Sequence, residues 1–179
     1  KLYVAFVDFK KAFNSVFRQG LMFKLMKLGC KGKTLKVLEN LYSNIKCAVK
    51  TPDGLTDFFL TLMGVQQGSI LSPLLFALYL QDVDEFLDDK DGLILNGKSF
   101  KALLYADDLA LMSDTVEGLQ NLLNALHSFC DKWKLQVNLS KTAVLICKQG
   151  KTEEAERWTW GDLLVPLCES YTYLGIRFF

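Results

Sequence analysis

Three aspartates stand where apolar runs would otherwise continue. Asp8 closes the string LYVAFVD, and Asp107 and Asp108 interrupt the step from LLY to LALM. Two adjacent carboxylates joined by a third from another strand repel one another in a half-buried cleft. A divalent cation relieves that repulsion. Oxygen ligands select a hard ion, magnesium or else manganese, over zinc, and no His/Cys cluster competes. Two such ions roughly 3.5–4 Å apart suit activation of a hydroxyl nucleophile and stabilisation of a leaving pyrophosphate. Aspartates in hairpin turns or after strands are also ordinary turn and cap residues. Their surroundings decide between the two.

The elements that must position these groups can be read from periodicity. Residues 2–9 are rich in β-branched and aromatic types and predict a buried strand ending at Asp8. Leu21, Leu25 and Leu28 recur at helical spacing and stop at Gly29. A second helix is expected from Thr34 to Tyr42, with Leu35, Leu38, Leu41 and Tyr42 on one face. Pro52-Asp53-Gly54 marks a hairpin between IKCAVKT and TDFFLTL. Ser72-Pro73 predicts an N-cap and first helical position for a helix running to about Leu87. Asn96-Gly97 marks a tight turn, and the Asp107-Asp108 pair is expected at the tip of a further hairpin. Val116, Leu119, Leu122, Leu123, Leu126, Phe129 and Trp133 form a helical stripe. Strand-like runs at 143–147 and 171–178 follow. Mixed strands and helices with hairpins predict an α+β fold, an antiparallel sheet with helices on one face.

Composition bounds the rest. Of 179 residues, 50% are hydrophobic and 23% charged, enough for a core and unlike a disordered segment. The chain opens on Lys1 straight into a strand pattern and stops after another apolar run, so it is expected to be part of a longer polypeptide. With 21 basic and 20 acidic residues the net charge is +1, a weak electrostatic footprint for a self-sufficient nucleic-acid binder. Five cysteines without a C-x-x-C pair suggest reduced thiols in an intracellular protein. No apolar run reaches the roughly 20 residues of a membrane span, and no signal peptide is evident.

Five blocks occur in order: FVDFKKAFNSV (6–16), GVQQGSILSPLLF (64–76), LLYADDLALM (103–112), LQVNLSKT (135–142) and YTYLGIRF (171–178). Together they resemble the reverse-transcriptase family, most closely the polymerases of non-LTR (LINE-type) retrotransposons. The resemblance spans essentially the whole chain and implies the palm of a right-hand polymerase. It implies an RNA template, a DNA primer and deoxynucleoside triphosphates as partners, and two Mg²⁺ ions held by Asp8, Asp107 and Asp108.

The resemblance carries further roles residue by residue. Phe13 matches the aromatic gate that excludes a ribose 2′-hydroxyl, and Gln67 and Gly68 match the turn that lies against the incoming nucleotide and template. Gln67 brings both donor and acceptor, and Gly68 permits close backbone approach. Lys141 matches a lysine acting near the pyrophosphate. Tyr105 is expected beside the primer terminus. Tyr173, Leu174 and Gly175 resemble the hairpin that grips the primer, although Leu174 also suits core packing. One position departs from the pattern: Asn14 stands where the family has aspartate. Asparagine substitutes well if that residue caps the next helix, and poorly if its charge matters.

By the same resemblance a complete enzyme carries fingers and thumb as well, and LINE-type proteins an endonuclease. The 179 residues alone are therefore expected to polymerise poorly. A group II intron or retron-type reverse transcriptase is the alternative within the same chemistry. A domesticated, non-catalytic nucleic-acid-binding domain is the alternative outside it. A LINE-type enzyme would act at nuclear DNA; oligomeric state is not readable.

Overall fold

The structure is a computed structural model that describes residues 1–147 and 156–179. Its centre is the strand Leu2–Asp8, whose residues 3–7 are all buried because both faces of the sheet are covered. It pairs antiparallel with Asp108–Ser113 on one side and Ala143–Cys147 on the other. Ala102–Tyr105 forms one edge of this five-stranded sheet and Leu167–Cys168 the other. The expected antiparallel sheet is present with one exception. Leu167–Cys168 runs parallel to Ala143–Cys147, since some twenty intervening residues allow the crossover that parallel pairing needs.

Alternation along the central strand sorts the core into two layers. Tyr3, Ala5 and Val7 join Leu109, Leu111 and Val144 beneath the helices. Val4 and Phe6 join Ala110, Leu145 and Tyr173 on the opposite face. Among the described residues five α-helices complete the fold: α1 (Ala12–Ser15), α2 (Arg18–Lys27), α3 (Gly32–Ser43), α4 (Ser72–Leu80) and α5 (Val116–Trp133). The stripe of α5 is buried from Leu119 to Trp133, and Thr115 caps it by accepting the Gly118 N–H at 3.0 Å. In α3, Tyr42 is buried and Leu35 and Leu38 pack at the margin of the core, while Leu41 stays exposed. The opposite face is covered by a hairpin, Tyr171–Tyr173 with Ile176–Phe178. The other expected hairpins form around Pro52-Asp53 and Asn96-Gly97.

The helix from Ser72 is shorter than its apolar pattern predicts. It ends at Leu80, and Val83–Phe86 is a separate 3₁₀ turn. The buried Lys24 ammonium donates to the Tyr79 carbonyl and to the Asp82 carboxylate. That carbonyl would otherwise serve the next helical turn. Ser72 is not the N-cap either. Leu71 holds that position, and the Ser72 hydroxyl donates to the Gln66 carbonyl instead. All five cysteines are free. No helix among the described residues is long and apolar enough to cross a membrane.

Candidate active site

Strand register brings the first two carboxylates face to face. Asp8 and Asp108 are direct partners across the sheet. Both continue the face that carries Phe6 and Ala110, away from the helices. Ala106 and Asp107 form the two-residue turn between Tyr105 and Asp108, so Asp107 sits at the hairpin tip as expected. Ala106 has a φ of 55°, a left-handed value that glycine adopts more readily. The carboxyl of Asp108 is held above the ordinary aspartate range by partial burial, then by the charges of Asp107 and Asp8.

The three carboxylates therefore sense one another at the surface. Among the described residues, no three or more His, Cys, Asp or Glu side chains are gathered tightly enough to cage a metal alone. Magnesium needs no such cage: it binds through one or two carboxylates and completes its shell with water and substrate phosphates. The all-oxygen set fits such an ion as a partial shell.

The LQVNLSKT block lies along the end of the first strand and fixes the main chain of Asp8. Asn138 N–H donates to the Asp8 carbonyl at 2.8 Å. The Asp8 N–H donates to Thr142 Oγ1 at 3.1 Å, and Thr142 is fully buried. Lys141 precedes Thr142 and is exposed, with its N–H bonded to the Asn138 carbonyl at 3.0 Å. The block thus brings its main chain within one residue of the Asp8 contact.

The C-terminal hairpin crosses the carboxylate face. Tyr171 stacks on Phe6 with centroids 4.1 Å apart and planes 2° from parallel. Its hydroxyl is pushed up by burial, then by the charges of Asp8 and Asp108. The Tyr173 hydroxyl lies 3.2 Å from the Asp108 carbonyl and 3.3 Å from that of Leu103, tying the two hairpins together. Leu174 and Gly175 form the turn with φ of 50° and 79°. Leu174 is half exposed, so it is a projecting residue and not a core one. Tyr105, opposite Asp108, is also exposed.

Phe13, Gln67 and Gly68 meet in a second place, a cavity of about 390 Å³ that Ser69, Ile70, Ser72 and Pro73 complete. The Phe13 ring rests on Phe76, 5.2 Å away. Asn14 lies exposed within α1 and caps nothing. The N-cap of α2 is Phe17, with no side-chain bond. The capping account of this position therefore fails, because three residues separate Asn14 from the start of α2.

Compared with known proteins, residues 1–178 match the family model for reverse transcriptase (RNA-dependent DNA polymerase). The chain belongs to the reverse transcriptase family. It is 28% identical over 184 residues to the Pol polyprotein of the type-1 retrotransposable element R2 of Nasonia vitripennis, covering 98% of this chain and 18% of that protein. The RNA-directed DNA polymerase from the Drosophila melanogaster mobile element jockey is 25% identical, over 96% of this chain and 19% of its own length. The chain thus spans less than a fifth of these relatives. Apo telomerase from Candida tropicalis, truncated from its C-terminal domain, superposes with a TM-score of 0.60 at 22% identity, over 88% of this chain and 32% of that one. Telomerase from Candida albicans, in complex with a TWJ fragment of telomeric RNA, gives 0.57 at 20%, over 93% and 29%. The fold is the α+β fold of a right-hand polymerase, as the blocks implied, and the likeness in sequence is to non-LTR retrotransposon polymerases.

Three residues of this reverse transcriptase escaped sequence reading. Thr142 sits inside a recognised block, and only the pairing shows that its hydroxyl meets Asp8. Tyr171 alternates with Tyr173 as any strand aromatic does. Arg18 looks like a surface residue opening a helix, yet its side chain is buried and hydrogen-bonded to four residues. Nothing local announces that.

Proposed function

We propose that this chain is the catalytic palm of an RNA-directed DNA polymerase of the non-LTR retrotransposon type. It adds deoxynucleotides to a DNA primer 3′-hydroxyl against an RNA template, by target-primed synthesis at nuclear DNA. The in-register pairing of Asp8 with Asp108, with Asp107 in the adjoining turn, is the observation that supports this reading most. Asp8, Asp107 and Asp108 would hold two Mg²⁺ ions. Bound there, magnesium supplies Lewis acidity toward the attacking hydroxyl and the leaving pyrophosphate.

The remaining residues bind and orient. Phe13, Gln67 and Gly68 receive the incoming nucleotide, with the Phe13 ring closing off space for a 2′-hydroxyl. Lys141 neutralises charge near the pyrophosphate. Tyr105 packs at the primer terminus, and the Leu174-Gly175 turn holds the primer strand over the carboxylates. Primer extension on an RNA template by the full-length protein, with Mg²⁺, tests the reading. Asp107→Asn and Asp108→Asn should each lower synthesis by about a hundredfold or more. Near wild-type rates in either variant would remove the metal assignment. RNA binding without any Mg²⁺-dependent synthesis would instead favour a non-catalytic domain and point to Asn14.

A further inference from the structure

The walls of the Phe13–Gln67–Gly68 cavity come from two chain segments that are not sequence neighbours. One is the short helix carrying Phe13, and the other is the 67–73 stretch, which is led in by residues 61–66, the part that is tied to the region of the helix. Two main-chain bonds join them: Gly64 N–H to the Val16 carbonyl at 2.8 Å and Val65 N–H to the Phe13 carbonyl at 2.7 Å. The third connection is the Arg18 guanidinium. Its Nε donates to the Gly64 carbonyl at 2.7 Å. Nη2 donates to the Met63 carbonyl at 2.8 Å and to Thr61 Oγ1 at 3.0 Å, and Nη1 donates to the carbonyls of Thr61 and Tyr42. Arg18 is only 9% exposed, and its hydrogen bonds are to carbonyls and a hydroxyl, not to a carboxylate. A buried cation of this kind is costly unless its bonds are all made. Its geometry is therefore set by the 61–64 main chain, and the main chain by it. Gly64 completes the joint: its φ is 87°, and a Cβ there would lie 2.8 Å from the Asn14 carbonyl oxygen.

We propose that Arg18 is a positioning residue for nucleotide selection, setting the separation between the Phe13 ring and the Gln67-Gly68 turn. The inference rests on the polymerase reading and deepens it. Arg18 touches no substrate; it acts by holding one wall of the sugar pocket against the other. Loosening it should widen the pocket. Deoxynucleotides then bind less well, and a ribose 2′-hydroxyl is excluded less strictly.

The experiment is steady-state incorporation by the full-length protein, comparing wild type with Arg18→Lys, Arg18→Met and Thr61→Val. Deoxynucleotide and ribonucleotide kinetics are measured in parallel with thermal unfolding. For Arg18→Met the expected result is a rise in KM for deoxynucleotides of about tenfold, the scale of one lost charge-assisted hydrogen bond. The ratio of deoxy to ribo kcat/KM should fall alongside. Arg18→Lys should recover part of both. Thr61→Val removes one acceptor of the guanidinium, with the hydroxyl's long 3.5 Å bond to the Ile45 carbonyl, and keeps the fold testable should Arg18→Met fail to fold; it should move the ratio the same way by less. A ratio unchanged in every folded variant, with only the unfolding temperature lowered, overturns the inference while leaving the polymerase intact. Absence of synthesis by the wild type overturns the polymerase reading and the inference together.

Discussion

At the scale of single residues, the site depends on positions where the main chain leaves little choice. Gly64 and Gly68 illustrate the difference. Both have left-handed φ, 87° and 83°, but a Cβ on Gly64 would strike the Asn14 backbone while one on Gly68 would meet nothing within 4 Å. Gly68→Ala should therefore cost only the backbone penalty of about 1 kcal/mol. Gly64→Ala should cost about 3 kcal/mol, since a backbone clash cannot be relieved by rotating a side chain. Urea denaturation midpoints of the two variants check this, and equal losses would contradict it. The glycines were both visible in the sequence, as were the three aspartates. What the sequence could not give was which glycine is crowded, or that residues 8 and 108 are opposite one another. Register is a property of pairing, and one-dimensional pattern carries none of it.

At the scale of elements, the end of α4 shows a tertiary contact overriding a local pattern. LLFALYLQDVDEFL keeps enough apolar spacing to continue a helix, and Lys24 from α2 takes the Tyr79 carbonyl where the helix ends. That ammonium is 2% exposed, faces the ring of Trp133 at 3.8 Å, and pairs with Asp82, whose side chain is 15% exposed. Removing the partner should hurt more on one side than the other. Asp82→Asn strands a buried cation and should cost about 3 kcal/mol. Lys24→Met should cost less, because Asp82 reaches water. Burial pulls the lysine down from 10.5 to about 8, outweighing the hydrogen bond and charge of Asp82. Between about pH 8 and 10.5 the unfolded chain then binds more protons than the folded one. This group's contribution to stability accordingly rises with pH across that window and is smallest below it. Denaturation of wild type and Lys24→Met at pH 7, 9 and 10.5 should show the difference in stability between them moving in favour of wild type as pH rises, whatever the buried thiols and phenols do to both; a difference independent of pH would contradict it. The α5 stripe and the tight turns were legible because their signals are local. The pairing of Lys24 and the clamp of Arg18 were not, since both join residues more than twenty positions apart.

At the scale of the whole molecule, basic and acidic residues nearly cancel, so the chain as a whole carries little general attraction for phosphate. The net charge is +1, and the sheet end that carries Asp8, Asp107 and Asp108 is acidic. Binding of this 179-residue chain to an RNA–DNA duplex, followed by fluorescence anisotropy, should be weak. Its dependence of log K on log salt should be shallower than a slope of about −2. A steeper slope would reveal a basic track along this surface. The fold class was legible at this scale through the order of the five blocks. The single parallel edge strand was not, since two residues leave no periodic trace.

The partnership of Asp8 with Asp108 also says when the site can exist. It joins positions a hundred residues apart, and no local hairpin or helix can bring them together. Contacts of that separation come late, after the loop-closure entropy has been overcome. Helices and turns, whose contacts are local, are therefore expected to form before Asp8 and Asp108 are paired. A partly folded chain carries the aspartates but cannot yet present them as a pair.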